Sequence, residues 1–170
     1  FTGTDAADRM IGRDGDDTFN YTKTAELVSK GAFVDTIDGG KGSDAIKITT
    51  SAGVTLAKGD SWANVTTVEK ITAGASSGVI SITVNDDVTT AGITTIDLSG
   101  DTDNTGANVI DLSNDTTGSL ITTVTGSDGV DTITGNSVAQ TIDGGKGNDV
   151  FNYATTADLV SGKEIGRASC

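Results

Sequence analysis

The residues in this chain that could do chemistry are aspartates, and they recur in phase with glycine. Residues 126–152 read GSDGVDTIT, GNSVAQTID and GGKGNDVFN, three consecutive nine-residue units starting at Gly126, Gly135 and Gly144. The first and third fit G-G-x-G-x-D-x-U-x, where U is a large apolar residue. Six residues make a glycine-dependent turn, and three make a short strand whose apolar residue points inward. The sixth positions hold Asp131, Gln140 and Asp149, and the inward residues are Ile133, Ile142 and Phe151. Gly126, Gly129, Gly144 and Gly147 shape the turns. Such turns place backbone carbonyls and a carboxylate around a hard cation, and oxygen-only ligands suit calcium better than a transition metal.

The same phase appears near the start. Residues 3–11 read GTDAADRMI, with Asp8 sixth and Met10 inward; residues 12–20 read GRDGDDTFN, with Gly12, Gly15, Asp17 and Phe19 in place. Residues 30–38, KGAFVDTID, form a degraded unit that keeps Asp35 and Ile37. Residues 39–47, GGKGSDAIK, match fully through Gly39, Gly42, Asp44 and Ile46. Asp14 and Asp128, third in their units, could add ligands or stay solvated. The competing reading is a metal-free β-helix with glycine turns, in which carboxylates on stacked turns would repel one another.

These units resemble the repeats-in-toxin (RTX) family of calcium-binding parallel β-rolls. The resemblance implies a right-handed solenoid in which each nonapeptide is half a coil. Turns two units apart then stack with calcium between them, which would put one ion between turns 126–131 and 144–149. The turn 135–140 falls on the opposite side and carries Gln140 where the family has aspartate. Ser127 and Arg13 also depart from the pattern, each standing where the family has a second glycine.

Composition narrows the classes. The chain has 170 residues with Gly 23, Pro 0, His 0 and 4% aromatics, which suits short strands and tight turns more than helices or a ring-built core. A net charge of −13 argues against nucleic acid, whose recognition rests on cationic contacts with phosphate. It also means that clustered carboxylates need cations to stay folded. Cys170 is the single cysteine, so no internal disulfide forms, and no apolar run is long enough to span a membrane. The chain starts at Phe1 in mid-pattern and reads as a fragment of something longer.

A longer repeat overlies the short one. Residues 12–28 align with 144–160, and Phe19 and Phe151 are 151 − 19 = 132 residues apart. One long period and the start of the next is the mark of a tandem array whose neighbouring units stack. Between the glycine-rich clusters, TTIDLSGD at 94–101 and NVIDLSND at 108–115 repeat at 110 − 96 = 14 residues. We read longer coils whose turns wrap no ion, the alternative being an inserted β-sandwich. A short helix is expected over 24–30, with Thr24 as its cap, Glu26 in its first turn and Gly31 as its stop. Trp62 reads as a packing plug. The organisation is therefore a calcium β-roll with a helical insertion at 1–47, a solenoid without glycine signature at 48–125, a second β-roll at 126–163, and a non-periodic tail at 164–170.

Other motifs carry less. DTDNTG at 101–106 opens like an EF-hand loop, but Leu112 stands where the closing glutamate belongs. GASSG at 74–78 spells a nucleophile elbow, yet no histidine exists to serve it. The paired acids lie inside the turn pattern and few aromatics exist to stack sugars, which argues against glycoside chemistry. The uneven coils argue against a flat threonine array for ice. The expected function is non-catalytic: a calcium-binding structural module of a large secreted bacterial surface protein, a surface layer or an adhesin. It would sit outside the cell, export by a type I route would follow from the resemblance, and its partners would be calcium, neighbouring repeats and its own lattice. The alternative is the RTX folding module of a secreted protease or lipase.

Overall fold

The computed structural model describes residues 1–50, 52–75, 78–103, 106–153 and 167–169. Each strand is too short and too polar on its outer face to stand alone. It carries one or two inward apolar residues between outward polar ones, so it gains stability only by stacking on the next coil.

The chain does this repeatedly. It begins with β1 (Arg9–Asp14) and β2 (Thr18–Tyr21), then α1 (Thr24–Leu27) and a hairpin of β3 (Val28–Ser29) with β4 (Ala32–Phe33). The next coil is β5 (Thr36–Lys41), β6 (Ala45–Ile48) and β7 (Val54–Leu56), followed by β8 (Val65–Thr66), β9 (Lys70–Ala73) and β10 (Ile80–Thr83). Then come α2 (Val88–Ala91), β11 (Thr95–Asp97) and β12 (Ala107–Asp111). The last coils are β13 (Thr123–Thr125) with β14 (Val130–Thr134), then β15 (Thr141–Lys146) with β16 (Val150–Asn152), and β17 (Arg167–Ser169) ends the described chain.

Among the described residues these strands build three parallel sheets, in the orders β1-β5-β8, β2-β6-β9-β11-β13-β15-β17 and β7-β10-β12-β14-β16. The fold is thus an all-β solenoid. Inward side chains form continuous ladders: Ile46, Ile71, Ile96 and Val124 in the long sheet, and Ile82, Ile110 and Ile133 in its neighbour, all fully buried. Each contributes roughly 1.5–3 kcal/mol by leaving water.

The middle is continuous with both ends. Strands β7 to β13 sit in the same sheets as their flanks, with no inserted sandwich. The 14-residue step is half a coil: Ile96 lies in the long sheet, Ile110 in the five-stranded one, and Val124 back in the first.

The assignment of half a coil to every nonapeptide needs correction. It holds at the C-terminal end, where the Asp131 amide meets Asp149, 18 residues on. At the N-terminal end Asp17 meets Asp44, 27 residues on, because α1 and the hairpin add a third side to the coil.

That insertion also differs from the expected helix. The helix covers only Thr24–Leu27, and Lys23, not Thr24, is its N-cap residue. Lys30 (φ 55) and Gly31 (φ 79) form the turn of the β3–β4 hairpin, with both central residues left-handed as tight hairpins require. Glu26 does anchor the start, accepting the amides of Thr22 at 2.8 Å and Lys23 at 3.1 Å. Leu27 and Phe33 are buried, and Phe33 packs 4.5 Å from Trp62, so the segment is part of the core and Trp62 is the plug expected. The second helix, α2, is an addition to the expected elements. Gly92 (φ 93) closes it, and Ala91 accepts the Val68 amide, so one helical turn stands where a strand would.

Residues 154–163 of the second roll and most of the tail, including Cys170, lie outside the described residues, as do parts of GASSG and DTDNTG.

Candidate metal centre

The nine-residue turns fall into two classes, and their backbones separate them. In turns 12–17, 39–44 and 144–149 the second and fourth positions are left-handed: Arg13 (φ 84) and Gly15 (φ 117), Gly40 (φ 101) and Gly42 (φ 142), Gly145 (φ 86) and Gly147 (φ 107). In each of these turns the sixth-position carboxylate lies against the first glycine, as Asp131 also lies against Gly126. A Cβ on Gly12 would lie 2.5 Å from Asp17 Oδ2, and one on Gly39 would lie 2.6 Å from Asp44 Oδ2. A Cβ on Gly144 would strike Asp149 Oδ2 in the same way. The first glycine and the sixth aspartate are therefore a coupled pair, since any larger residue at the first position expels the carboxylate. On Gly12 and Gly39 the Cβ would also strike a carbonyl of the next coil, Gly39 O above Gly12 and Thr67 O above Gly39. Carboxylate and carbonyl oxygens therefore face one small space.

These turns stack by backbone bonds. Turn 12–17 sits on turn 39–44: the Asp17 amide donates to Asp44 Oδ1 at 2.7 Å, Gly15 to the Lys41 carbonyl at 2.8 Å, and Ser43 to Asp16 Oδ1 at 2.8 Å. Turn 144–149 sits on turn 126–131, with the Asp131 amide donating to Asp149 Oδ1 at 3.1 Å and the Lys146 amide to the Ser127 carbonyl at 3.1 Å. Asp44 and Asp149 thus use one oxygen to hold the preceding coil. The other oxygen of each, and Asp17 Oδ2, is buried without a hydrogen-bond partner. A buried acceptor left this way costs about 1–3 kcal/mol, more when charged. Burial pushes the Asp149 carboxyl above its usual range, against the lowering effect of the Asp131 amide.

The second class satisfies itself. In turns 3–8, 126–131 and 135–140 neither the second nor the fourth position has positive φ. Instead the second residue reaches the sixth. Thr4 Oγ1 donates to Asp8 Oδ2 at 2.7 Å. Ser127 gives Asp131 both its amide, at 2.8 Å, and its hydroxyl, at 3.0 Å from the same Oδ2. The Asn136 amide donates to Gln140 Oε1 at 3.3 Å, and Gln140 Nε2 returns to Asn136 Oδ1 at 2.9 Å. Buried polar networks extend these contacts into the middle section. Asn108 Nδ2 bridges Asp101 Oδ2 and Ser127 Oγ at 3.1 Å each, and Asn136 Nδ2 reaches Asp115 Oδ2 at 3.4 Å, while Asp115 Oδ1, outside the nine-residue turns, stays buried without a partner. Burial raises the Asp131 and Asp115 carboxyls above their usual range, with Ser127 and Ser119 respectively opposing.

Three further expected ligands are engaged elsewhere. Asp35 accepts the Tyr21 hydroxyl and the Asp8 amide, both at 2.8 Å, and burial together with Asp35 holds the Tyr21 hydroxyl far above its ordinary range. Asp14 and Asp128 pair with Lys41 at 3.3 Å and Lys146 at 2.7 Å, each the third residue of the stacked unit. Residues that the nonapeptide pattern does not single out, Thr4, Tyr21, Ser127 and Asn136, decide which carboxylates stay free. The one readable signal is a short hydroxyl or amide side chain at the second position, Thr4, Ser127 or Asn136, where the open turns have Arg13 or glycine.

Among the described residues no group of three or more His, Cys, Asp and Glu converges on one point. The donors on offer are one or two carboxylates with backbone carbonyls, which is a set for a hard cation. It fits calcium at the turns of Asp17, Asp44 and Asp149, where a buried oxygen lacks a partner. It fits poorly at Asp8, Asp35 and Asp131, where the protein supplies one. Comparison with known families, curated proteins and solved structures gives no match.

Proposed function

We propose that the chain is a calcium-binding structural repeat module of a large secreted bacterial surface protein, a surface layer or an adhesin, and that it has no catalytic role. The observation that carries this reading is the partnerless buried oxygen on Asp17, Asp44 and Asp149, each in a turn whose second and fourth residues are left-handed. Calcium bound there neutralises the carboxylates and completes their coordination with carbonyls, so binding to the folded state draws folding forward. Extracellular calcium fills even sites with dissociation constants of about 10⁻⁴–10⁻³ M. The net charge of −13 keeps the calcium-poor chain expanded, which suits export before folding.

The 132-residue self-repeat favours a tandem array over an enzyme tail. No helix among the described residues is long and apolar enough to cross a membrane. A calcium titration followed by circular dichroism and light scattering tests the reading. We expect β-structure to appear with calcium and scattering to rise at or above the same concentration. A spectrum and a scattering signal indifferent to calcium and to chelator would overturn it.

A further inference from the structure

The stack of open turns does not end at the last nonapeptide. Above turn 39–44 the chain makes a tighter connection between β8 and β9. Ile37 and Ile46 pair with Val65 and Ile71, so nine residues on one coil face six on the next. The sequence VTTVEK contains no glycine and does not resemble the nonapeptide turn, yet its parts take over the same positions. The Thr67 carbonyl stands over Gly39 as the Gly39 carbonyl stands over Gly12. Thr67 is left-handed (φ 52), and its hydroxyl accepts the Gly40 amide at 2.9 Å. Glu69 Oε2 accepts the Asp44 amide at 2.8 Å, as Asp44 Oδ1 accepts that of Asp17. The shorter turn holds its acid further back, and the extra methylene of glutamate restores the reach. Between these two layers lies Asp44 Oδ2, on a residue with 0% exposure and without a partner of its own.

We propose that a second hard divalent cation binds in this layer, held by Asp44 Oδ2, the Thr67 carbonyl and the Glu69 carboxylate, one coil beyond the ion held at Asp17. The site rests on the reading of open turns as calcium sites and extends it to a turn without the repeat pattern. Glu69 closes the metal stack, because the next residue in its column is Thr94, whose amide bonds to the Glu69 carbonyl and which brings no carboxylate.

The test counts calcium on the whole chain by native mass spectrometry and titration calorimetry, using wild type, Glu69→Gln, Asp17→Asn and the double variant. Glutamine keeps an acceptor for the Asp44 amide, so circular dichroism at saturating calcium should match wild type. We expect Glu69→Gln to lose one ion, or to weaken one binding step by at least about tenfold, the scale on which even outer-shell partners act. Asp17→Asn should lose a different ion, and the double variant both. If Glu69→Gln titrates like wild type while Asp17→Asn loses an ion, this site is wrong and the calcium reading stands. If wild type binds no calcium, both fall. Anomalous diffraction from wild-type crystals soaked in terbium gives an answer free of mutation: a peak between Asp44 and Glu69 supports the site, and a peak beside Asp17 alone overturns it.

Discussion

Turns 12–17 and 126–131 share a spacing, a first glycine and a sixth aspartate, but they solve the burial of that aspartate differently. In the first, the second position is left-handed and Asp17 keeps an unpartnered buried oxygen. In the second, Ser127 stands in ordinary backbone conformation and fills the turn with its amide and hydroxyl. The first turn leaves a buried carboxylate oxygen open; the second fills its own with Ser127. On the proposed calcium reading, one residue per turn separates the two kinds, so turns 12–17, 39–44 and 144–149 should respond to calcium while the turns filled by Ser127 and Asn136 should hold without it.

The largest effect that would break this contrast is at Asp44. Asp44→Asn keeps an acceptor for the Asp17 amide but removes the charge. In excess calcium it should lose the ligand's stabilisation, about 2.7 kcal/mol if wild type is held at a hundred times its dissociation constant. In chelator the same variant should be as stable as wild type or more so. Denaturant melts under both conditions check the crossing, and equal destabilisation in both would show that Asp44 is merely structural.

Ser127→Ala probes the closed class. It strips the hydroxyl that Asp131 and Asn108 share, leaving buried groups short of a partner at a cost of about 1–3 kcal/mol. That loss should be the same with calcium and with chelator. A loss that calcium repairs would mean this turn also takes an ion.

Acidification offers a third check. Burial raises the Asp115 and Asp131 carboxyls, so the folded state binds protons more readily than the unfolded one. Their contribution is fully present below the unfolded pKa and lost as pH rises through the folded value. In chelator these two groups should therefore add stability, read as melting temperature, as pH falls towards the unfolded carboxyl value of about 4, against the loss from Glu26 and Asp86, whose carboxyls are lowered. In calcium, competition between protons and ions should flatten or reverse that slope. Lys41→Ala should have the smallest effect: its exposed pair with Asp14 is worth about 0–1 kcal/mol, and calcium binding should not change.

Much of this is legible in the residues alone. The inward residues Phe19, Ile46 and Ile133 follow from the nine-residue phase, and the 14-residue step from Ile96 to Ile110 follows from the two copies of IDLS, though only the sheet pairing shows that it is half a coil. The N-terminal coil length is not, because nothing in KTAELVSKG signals that a helical turn and a hairpin together make a third side. Nor is Glu69, since its role depends on a three-residue deletion visible only against the pairing of β5 with β8. The division of the aspartates hangs on the second position, where Ser127 is by spelling a mild departure. Only the hydrogen bonds show that it occupies the turn.

Amide hydrogen exchange, resolved by segment with and without calcium, tests the central contrast most directly. We expect calcium to slow exchange strongly across residues 12–17, 39–44 and 144–149 and to leave residues 126–130 and 135–140 nearly unchanged. Equal protection of both regions, or none in either, would contradict the division of these turns into open and closed.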